Sequence, residues 1–258
     1  MKTKSLVLIH GYPFDHAMWY GVIAALGAGT RVFAPDLRGF GNTELGPEEP
    51  ALEVMADDLE AMLKAQGVEK TVVAGMSMGG YVALAYAERY PARLAGLGLV
   101  NTQAGEDSEE GRSNRRSLIA KIKKEGTGAA LQAILPKLFS PDQTNNEDLI
   151  AIARQAAETA GIQGLTWALE AMARRPDRSD LLKKLDIPVS VIHSSEDKII
   201  PPAKARAMAE LCRKPHYFQI RGAGHCSPLE APDLVAQELA RLVKAGFPEP
   251  EAVEAAAS

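Results

Sequence analysis

The sequence predicts an α/β protein: a mainly parallel β-sheet of about six strands, flanked by helices, with an all-helical cap inserted into it. Three observations carry this expectation. Short β-branched apolar runs alternate with longer helix-patterned stretches, and such alternation marks a parallel sheet covered on both faces. The runs are continuously apolar, as strands buried on both faces must be. Between about residues 104 and 186 the alternation stops, and the chain turns rich in Glu, Arg, Lys, Gln and Ala with no strand signal.

The strands are read at residues 6–9, 31–34, 71–74, 97–100, 188–192 and 216–220. Helical patterns fill 50–66, 78–90, 203–212 and 232–245. Within the strandless segment, helices are predicted at 109–125, 128–138, 146–159 and 162–174, punctuated by Pro136, Pro141, Gly161 and Pro176. The domain division expected is a core of residues 1–103 and 186–258, with residues 104–185 as a cap over the sheet's active edge. Arg112, Arg115, Arg116, Lys121, Lys123 and Lys124 read as a solvated helix face, partly neutralised by Glu106, Asp107, Glu109 and Glu110. The Pro/Glu/Ala-rich tail at 247–258 is expected to fray.

The chain has 258 residues, 46% hydrophobic and 24% charged, which is the composition of an ordinary globular protein. Its 29 basic and 33 acidic side chains leave a net charge of −4, which disfavours nucleic acid as a partner. Cys212 and Cys226 show no metal-ligand spacing and read as free thiols of a reducing compartment. The apolar run after the basic N-terminus is shorter than the roughly 7–15 residues of a secretory core. No run approaches the roughly 18 apolar residues of a membrane span. A cytoplasmic protein with no membrane partner is therefore expected; nothing indicates its oligomeric state.

The most informative stretch is Val72-Val73-Ala74-Gly75-Met76-Ser77-Met78-Gly79-Gly80. It contains Gly-x-Ser-x-Gly between an apolar strand and a helix-patterned run. A serine on a sharp strand-to-helix turn projects its hydroxyl from the sheet edge, and small neighbours let strand and helix approach. The following helix start also aims N–H groups and a positive dipole end at Ser77.

A serine hydroxyl needs a base. Of the five histidines, His10, His193 and His216 sit at strand ends, and His16 lies in a loop that could line a pocket. His225 lies in Gly222-Ala223-Gly224-His225-Cys226-Ser227-Pro228, just past the last strand. Such a loop stands above the same sheet edge as Ser77, so His225 is the candidate base. The acid that orients the base falls in Ser194-Ser195-Glu196-Asp197-Lys198, after the fifth strand. Asp197 is favoured over Glu196, and Pro201-Pro202 opens the next helix. Acyl transfer also needs two backbone N–H donors for the developing oxyanion. Met78, after the nucleophile, offers one. In His10-Gly11-Tyr12-Pro13 the proline has no N–H, so Tyr12 offers the other.

These pieces, with Asp36-Leu37-Arg38-Gly39-Phe40-Gly41 and Gly222–Pro232, make the chain resemble the α/β-hydrolase superfamily along nearly its whole length. Within it the pattern is similar to small carboxylesterases and 3-oxoadipate enol-lactonase-like serine hydrolases. The order Ser77, Asp197, His225 is the order of that family's triads. The resemblance implies that the Asp36 loop is structural. Ser77 argues against the aspartate-nucleophile dehalogenases and epoxide hydrolases of the fold. Many relatives carry a β-hairpin before the His-Gly strand, and His10 comes too early to allow one. Cys226 stands where relatives often have an apolar residue.

The expected function is cleavage of small carboxylic esters through Ser77, His225 and Asp197, with lactone hydrolysis or cofactor-free perhydrolysis as the alternative. A small-molecule sensor on the same fold is a further reading. No cofactor and no metal are called for. Trp19, Phe139 and Trp167, with Met76 and Met172, are candidate pocket residues, although core packing also suits them. Arg174 and Arg175 are candidates for a substrate carboxylate, although surface exposure suits them too.

Overall fold

The computed structural model describes residues 4–249. The far end of the tail expected to fray lies outside these residues, as do residues 1–3. In chain order the elements are β1 (Ser5–Ile9), α1 (Tyr20–Leu26), β2 (Arg31–Phe33), α2 (Leu52–Ala65), β3 (Thr71–Met76), α3 (Met78–Arg89) and β4 (Leu94–Val100). There follow α4 (Glu109–Glu125), α5 (Gly128–Leu138), α6 (Glu147–Arg174), α7 (Ser179–Leu182), β5 (Val189–Ser194), α8 (Pro202–Glu210), β6 (Pro215–Ile220), α9 (Ser227–Glu230) and α10 (Pro232–Gly246).

The six strands form one sheet in the order β2-β1-β3-β4-β5-β6, and every neighbouring pair is parallel. The inner strands β1, β3, β4 and β5 are buried at every position, which is why they read as unbroken apolar runs. The edge strands β2 and β6 are half-buried. Helices α2 and α3 pack together, as do α1 and α10, and both pairs reach the central strands. The sheet is thereby covered on both faces, and each fully buried Val, Leu or Ile contributes roughly 1.5–3 kcal/mol.

Only helices join β4 to β5. α4, α5 and α6 pack on one another. The helices expected at 109–125 and 128–138 coincide with α4 and α5. The two helices expected around Gly161 form a single run of 28 residues, interrupted at Gly161 by φ 63° and ψ −178°. Glycine adopts that conformation without a Cβ penalty, so it divides the run without a loop. α1 was not legible: its seven residues YGVIAAL include an internal glycine, and packing against α10 holds it. Among the described residues no helix is long and apolar enough to cross a membrane.

Candidate active site

β1 lies between β2 and β3, so the chain leaves β1 toward one edge and returns through β3 toward the other. In open parallel sheets the crevice at such a reversal, beyond the carboxyl ends of the strands, is where ligands bind. Tyr12 follows β1 there and Ser77 follows β3. Asn101, Asp197 and His225 follow β4, β5 and β6.

Ser77 occupies φ 52°, ψ −113° between β3 and α3. A non-glycine residue held there stores about 1–3 kcal/mol. The surroundings over-determine it. Ser77 N–H donates to Val100 O at 2.9 Å, and Thr102 Oγ1 donates to Ser77 O at 2.8 Å. A Cβ on Gly79 would lie 2.2 Å from Ile9 O, and one on Gly75 2.0 Å from Gly79 O. The two glycines of Gly-x-Ser-x-Gly are thus the points where β1, β3 and α3 touch.

Ser77 Oγ and His225 Nε2 are 2.9 Å apart, and His225 Nδ1 is 2.8 Å from Asp197 Oδ2. An ionised carboxylate only accepts, so Nδ1 carries the hydrogen of a neutral ring and Nε2 offers its lone pair to the serine hydroxyl. That is the protonation pattern a serine nucleophile needs. His225 is 1% and Asp197 6% exposed, so the chain of bonds is shielded from competing water.

Asp197 is held on both oxygens. Oδ1 accepts from Ile199 N–H at 2.8 Å and Ile200 N–H at 2.9 Å. Oδ2 accepts from Asn101 Nδ2 at 3.0 Å as well as from His225. Burial pushes the carboxyl pKa up, but the pull of His225 in its protonated form, with the hydrogen bonds from His225, Ile200 and Asn101, outweighs it and holds the group below the ordinary aspartate value. Glu196, the other acid considered, is exposed and bonded to Ser195 Oγ.

Two residues missed in the sequence knit these parts together. Asn101, at φ 44°, accepts from Ser227 Oγ at 2.6 Å while donating to Asp197; Thr102 clamps the Ser77 carbonyl. The available signal was a polar pair, Asn-Thr, directly after a wholly apolar strand at the functional edge. His193, likewise buried, donates from Nε2 to Ile200 O at 2.9 Å and steadies the turn that carries the Ile200 N–H. His10 has its pKa lowered to about 4 by burial. Its Nδ1 donates to Gly11 O at 3.1 Å, and its Nε2 accepts from Leu37 N–H at 2.9 Å. It is a neutral strut for the Gly11-Tyr12 loop.

Met78 opens α3, so its N–H lacks an intrahelical acceptor. Among the described residues, neither it nor Tyr12 N–H donates to a protein group. Both are thus available beside Ser77. Asp36 accepts from the N–H and Nδ1 of His16 and from Asn42 N–H. Asp15, His16 and Asp36 are close enough to hold a cation, but they are engaged in this loop hydrogen bonding and lie outside the cavity lining.

A cavity of about 620 Å³ opens over Ser77 and His225. Its walls are Tyr12 and Tyr81 on the sheet side, and residues of α4, α5 and α6 above. Met172 lines it as one candidate. Trp19, Phe139 and Trp167 do not. Trp19 is wholly buried in the core. Phe139 is also buried, its backbone against Gly224 and so behind the His225 loop. Trp167 donates to Glu48 O at 3.0 Å and packs under Arg38. Large aromatic side chains satisfied the core before the pocket. Met76 is buried against Gly11, and His16 bonds Asp36 and Tyr20. Arg174 faces outward to Glu49, and Arg175 lies 4.1 Å over the Tyr81 ring. Arg115, expected on a solvated face, instead turns inward, because buried Asp107 accepts from its Nε at 2.5 Å. Cys226 is buried as a free thiol, and burial raises its pKa.

A parallel six-stranded sheet with a strained serine after its third strand defines a class, and the chain belongs to it: the α/β-hydrolase fold family matches residues 4–232. Among solved structures, the chain is 37% identical to a thermophilic esterase from Thermogutta terrifontis with malate bound, at a TM-score of 0.90 over 94% of this chain and 90% of that one. It is 26% identical to the enol-lactonase from Burkholderia xenovorans LB400, at a TM-score of 0.86 over 95% and 92% of the two chains. Among curated sequences, 3-oxoadipate enol-lactonase 1 of Acinetobacter baylyi is 26% identical over 94% of this chain and 90% of its own length.

Proposed function

We propose that this protein is a serine hydrolase that cleaves small carboxylic esters through an acyl-enzyme. The observation that carries the reading is the hydrogen-bonded line from Ser77 Oγ through His225 to Asp197. His225 Nε2 takes the hydroxyl proton as Ser77 Oγ attacks the ester carbonyl. The oxyanion is met by the N–H groups of Tyr12 and Met78, each such donor being worth roughly 3–4 kcal/mol of barrier. His225 returns the proton to the leaving alkoxide, and the alcohol departs. Water, deprotonated by the same nitrogen, then releases the acid. Asp197 holds the ring in the required tautomer throughout.

The cavity volume suits a small substrate. The likeness to an esterase and to two enol-lactonases supports an ester or lactone carbonyl as the target. A lactone is a cyclic ester, and the same steps open it.

Hydrolysis of p-nitrophenyl acetate, butyrate and octanoate by the wild type and by Ser77→Ala tests the reading. Turnover by the wild type and a loss on the order of a million-fold in Ser77→Ala are expected. Equal turnover by the two proteins would overturn it.

A further inference from the structure

A second line of hydroxyl, imidazole and carboxylate lies outside the cavity over Ser77. His16 opens a short turn of helix, His16–Trp19, and Tyr20 follows at the start of α1. Residues four apart on a helical path are neighbours, and the two rings meet edge to face with centroids 5.4 Å apart. Tyr20 Oη donates to His16 Nε2 at 2.8 Å, and His16 Nδ1 donates to Asp36 Oδ1 at 2.6 Å. That oxygen also accepts from the His16 backbone N–H at 2.9 Å, while Oδ2 accepts from Asn42 N–H at 3.1 Å. Asp36 therefore holds both the backbone and the ring of His16.

The acid sets the direction of this line. Burial pushes the Asp36 carboxyl pKa up, but the N–H groups of His16 and Asn42 and the His16 ring outweigh it and hold the group below the ordinary aspartate value. An ionised carboxylate only accepts, so the hydrogen of the neutral ring sits on Nδ1 and the Nε2 lone pair faces the phenol. The same protonation pattern runs through Ser77, His225 and Asp197, here with a phenol in place of the alcohol. A phenol ionises near pH 10, so near neutrality it needs an adjacent base to act as a nucleophile.

The other tyrosines lack this combination. The chain has six. Tyr12, Tyr81 and Tyr86 are buried, and Tyr86 donates to Glu60. The Tyr217 hydroxyl is buried with no partner among the described residues. Tyr90 is half-buried and donates to Asp57 Oδ1 at 2.6 Å, and an ionised carboxylate is a weak base. Tyr20 is 60% exposed, so an incoming molecule can reach its oxygen.

We infer that Tyr20 is an acylation site, with His16 as its base, for activated carboxylic esters such as aryl esters. Tyr20 Oη attacks the ester carbonyl carbon while its proton passes to His16 Nε2. The new bond joins that carbon to the tyrosine oxygen, the bond to the aryloxide breaks, and His16 returns the proton to the departing phenol. The product is an O-acyl-tyrosine on the protein surface. Ser77 takes no part, so the site does not rest on the hydrolase reading above.

The test uses Ser77→Ala, in which the catalytic serine cannot compete. The protein is incubated with p-nitrophenyl acetate near neutral pH, and peptide mapping by mass spectrometry times the acetyl label at each tyrosine. Hydroxylamine then strips tyrosine esters and leaves lysine amides. Tyr20 should be labelled first among the tyrosines, with a label that hydroxylamine removes, and Tyr20→Phe should lose it. His16→Gln keeps an amide oxygen to accept from the phenol but removes the base. It should slow the labelling of Tyr20 on the order of 100-fold, the lower end for general-base catalysis. A Tyr20 that stays unlabelled, or is labelled no faster than Tyr90, overturns the site. Equal labelling rates with and without His16→Gln overturn it too, since exposure would then account for the reactivity.

Discussion

In an Asp197→Asn variant, the orientation of the new amide is set by bonds Asp197 already makes. Oδ1 accepts two backbone N–H groups, from Ile199 and Ile200, so the amide keeps its oxygen there. The NH2 must then stand where Oδ2 stood, 2.8 Å from His225 Nδ1 and 3.0 Å from Asn101 Nδ2. Rotating the Asn101 amide relieves the second conflict but not the first. His225 answers by moving its hydrogen to Nε2, leaving a lone pair at Nδ1 for the new donor. Nε2 then donates to Ser77 Oγ instead of accepting, and the serine has no base. Tautomer reversal of this kind lowers kcat by roughly 10⁴, equivalent to about 5 kcal/mol of barrier. Stability should fall by only about 1–3 kcal/mol, since one charge-assisted network is weakened and no cavity is made. The assay is steady-state hydrolysis of p-nitrophenyl butyrate alongside urea unfolding, with Glu196→Gln as the companion. A folded Asp197→Asn protein within tenfold of wild-type kcat would refute the reasoning, and still more so if Glu196→Gln had lost activity.

Other outcomes follow from the same geometry. Ser77→Gly should be more stable than Ser77→Ala by about 1 kcal/mol in chemical denaturation, because glycine relieves the strain at φ 52°; equal stabilities would mean the turn is unstrained. Gly79→Ala should destabilise by about 3 kcal/mol or fail to fold, since its Cβ would sit 2.2 Å from the Ile9 carbonyl oxygen; a soluble protein of wild-type Tm would contradict this. His10 titrates near 4 when folded against 6.5 unfolded. A depressed folded value gives full stability above 6.5 and loses it as pH falls toward 4, by about 2 kcal/mol at pH 5. Urea unfolding at pH 7.5 and 5 should show that this acid loss is smaller by about the same amount in His10→Asn than in the wild type.

Much of the protein was legible before folding because the signals are local. Six apolar runs became six strands, since burial on both faces demands continuous hydrophobicity. Gly75-Met76-Ser77-Met78-Gly79 announced the turn because only small residues can stand where β1, β3 and α3 meet. Of the punctuating residues, Gly161 does interrupt a helical run, whereas Pro136 lies inside α5. Illegible elements were short or held by distant partners: α1 depends on α10, and α7 and α9 are four residues each.

By itself, then, the sequence determined the layered α/β architecture, the strained serine and the ends of strands that carry its partners, because periodicity and turn chemistry are written in neighbouring residues. Choices among equals were left to tertiary structure. It brought Asp197 rather than Glu196 to His225, through two amide donors and Asn101. It sent Trp19, Phe139 and Trp167 into packing and turned Arg115 inward toward buried Asp107. Those outcomes depend on which groups meet across the 28 residues between Asp197 and His225 or the 148 between Ser77 and His225. Contact and desolvation at such separations leave no local pattern, so only the assembled sheet edge decides them.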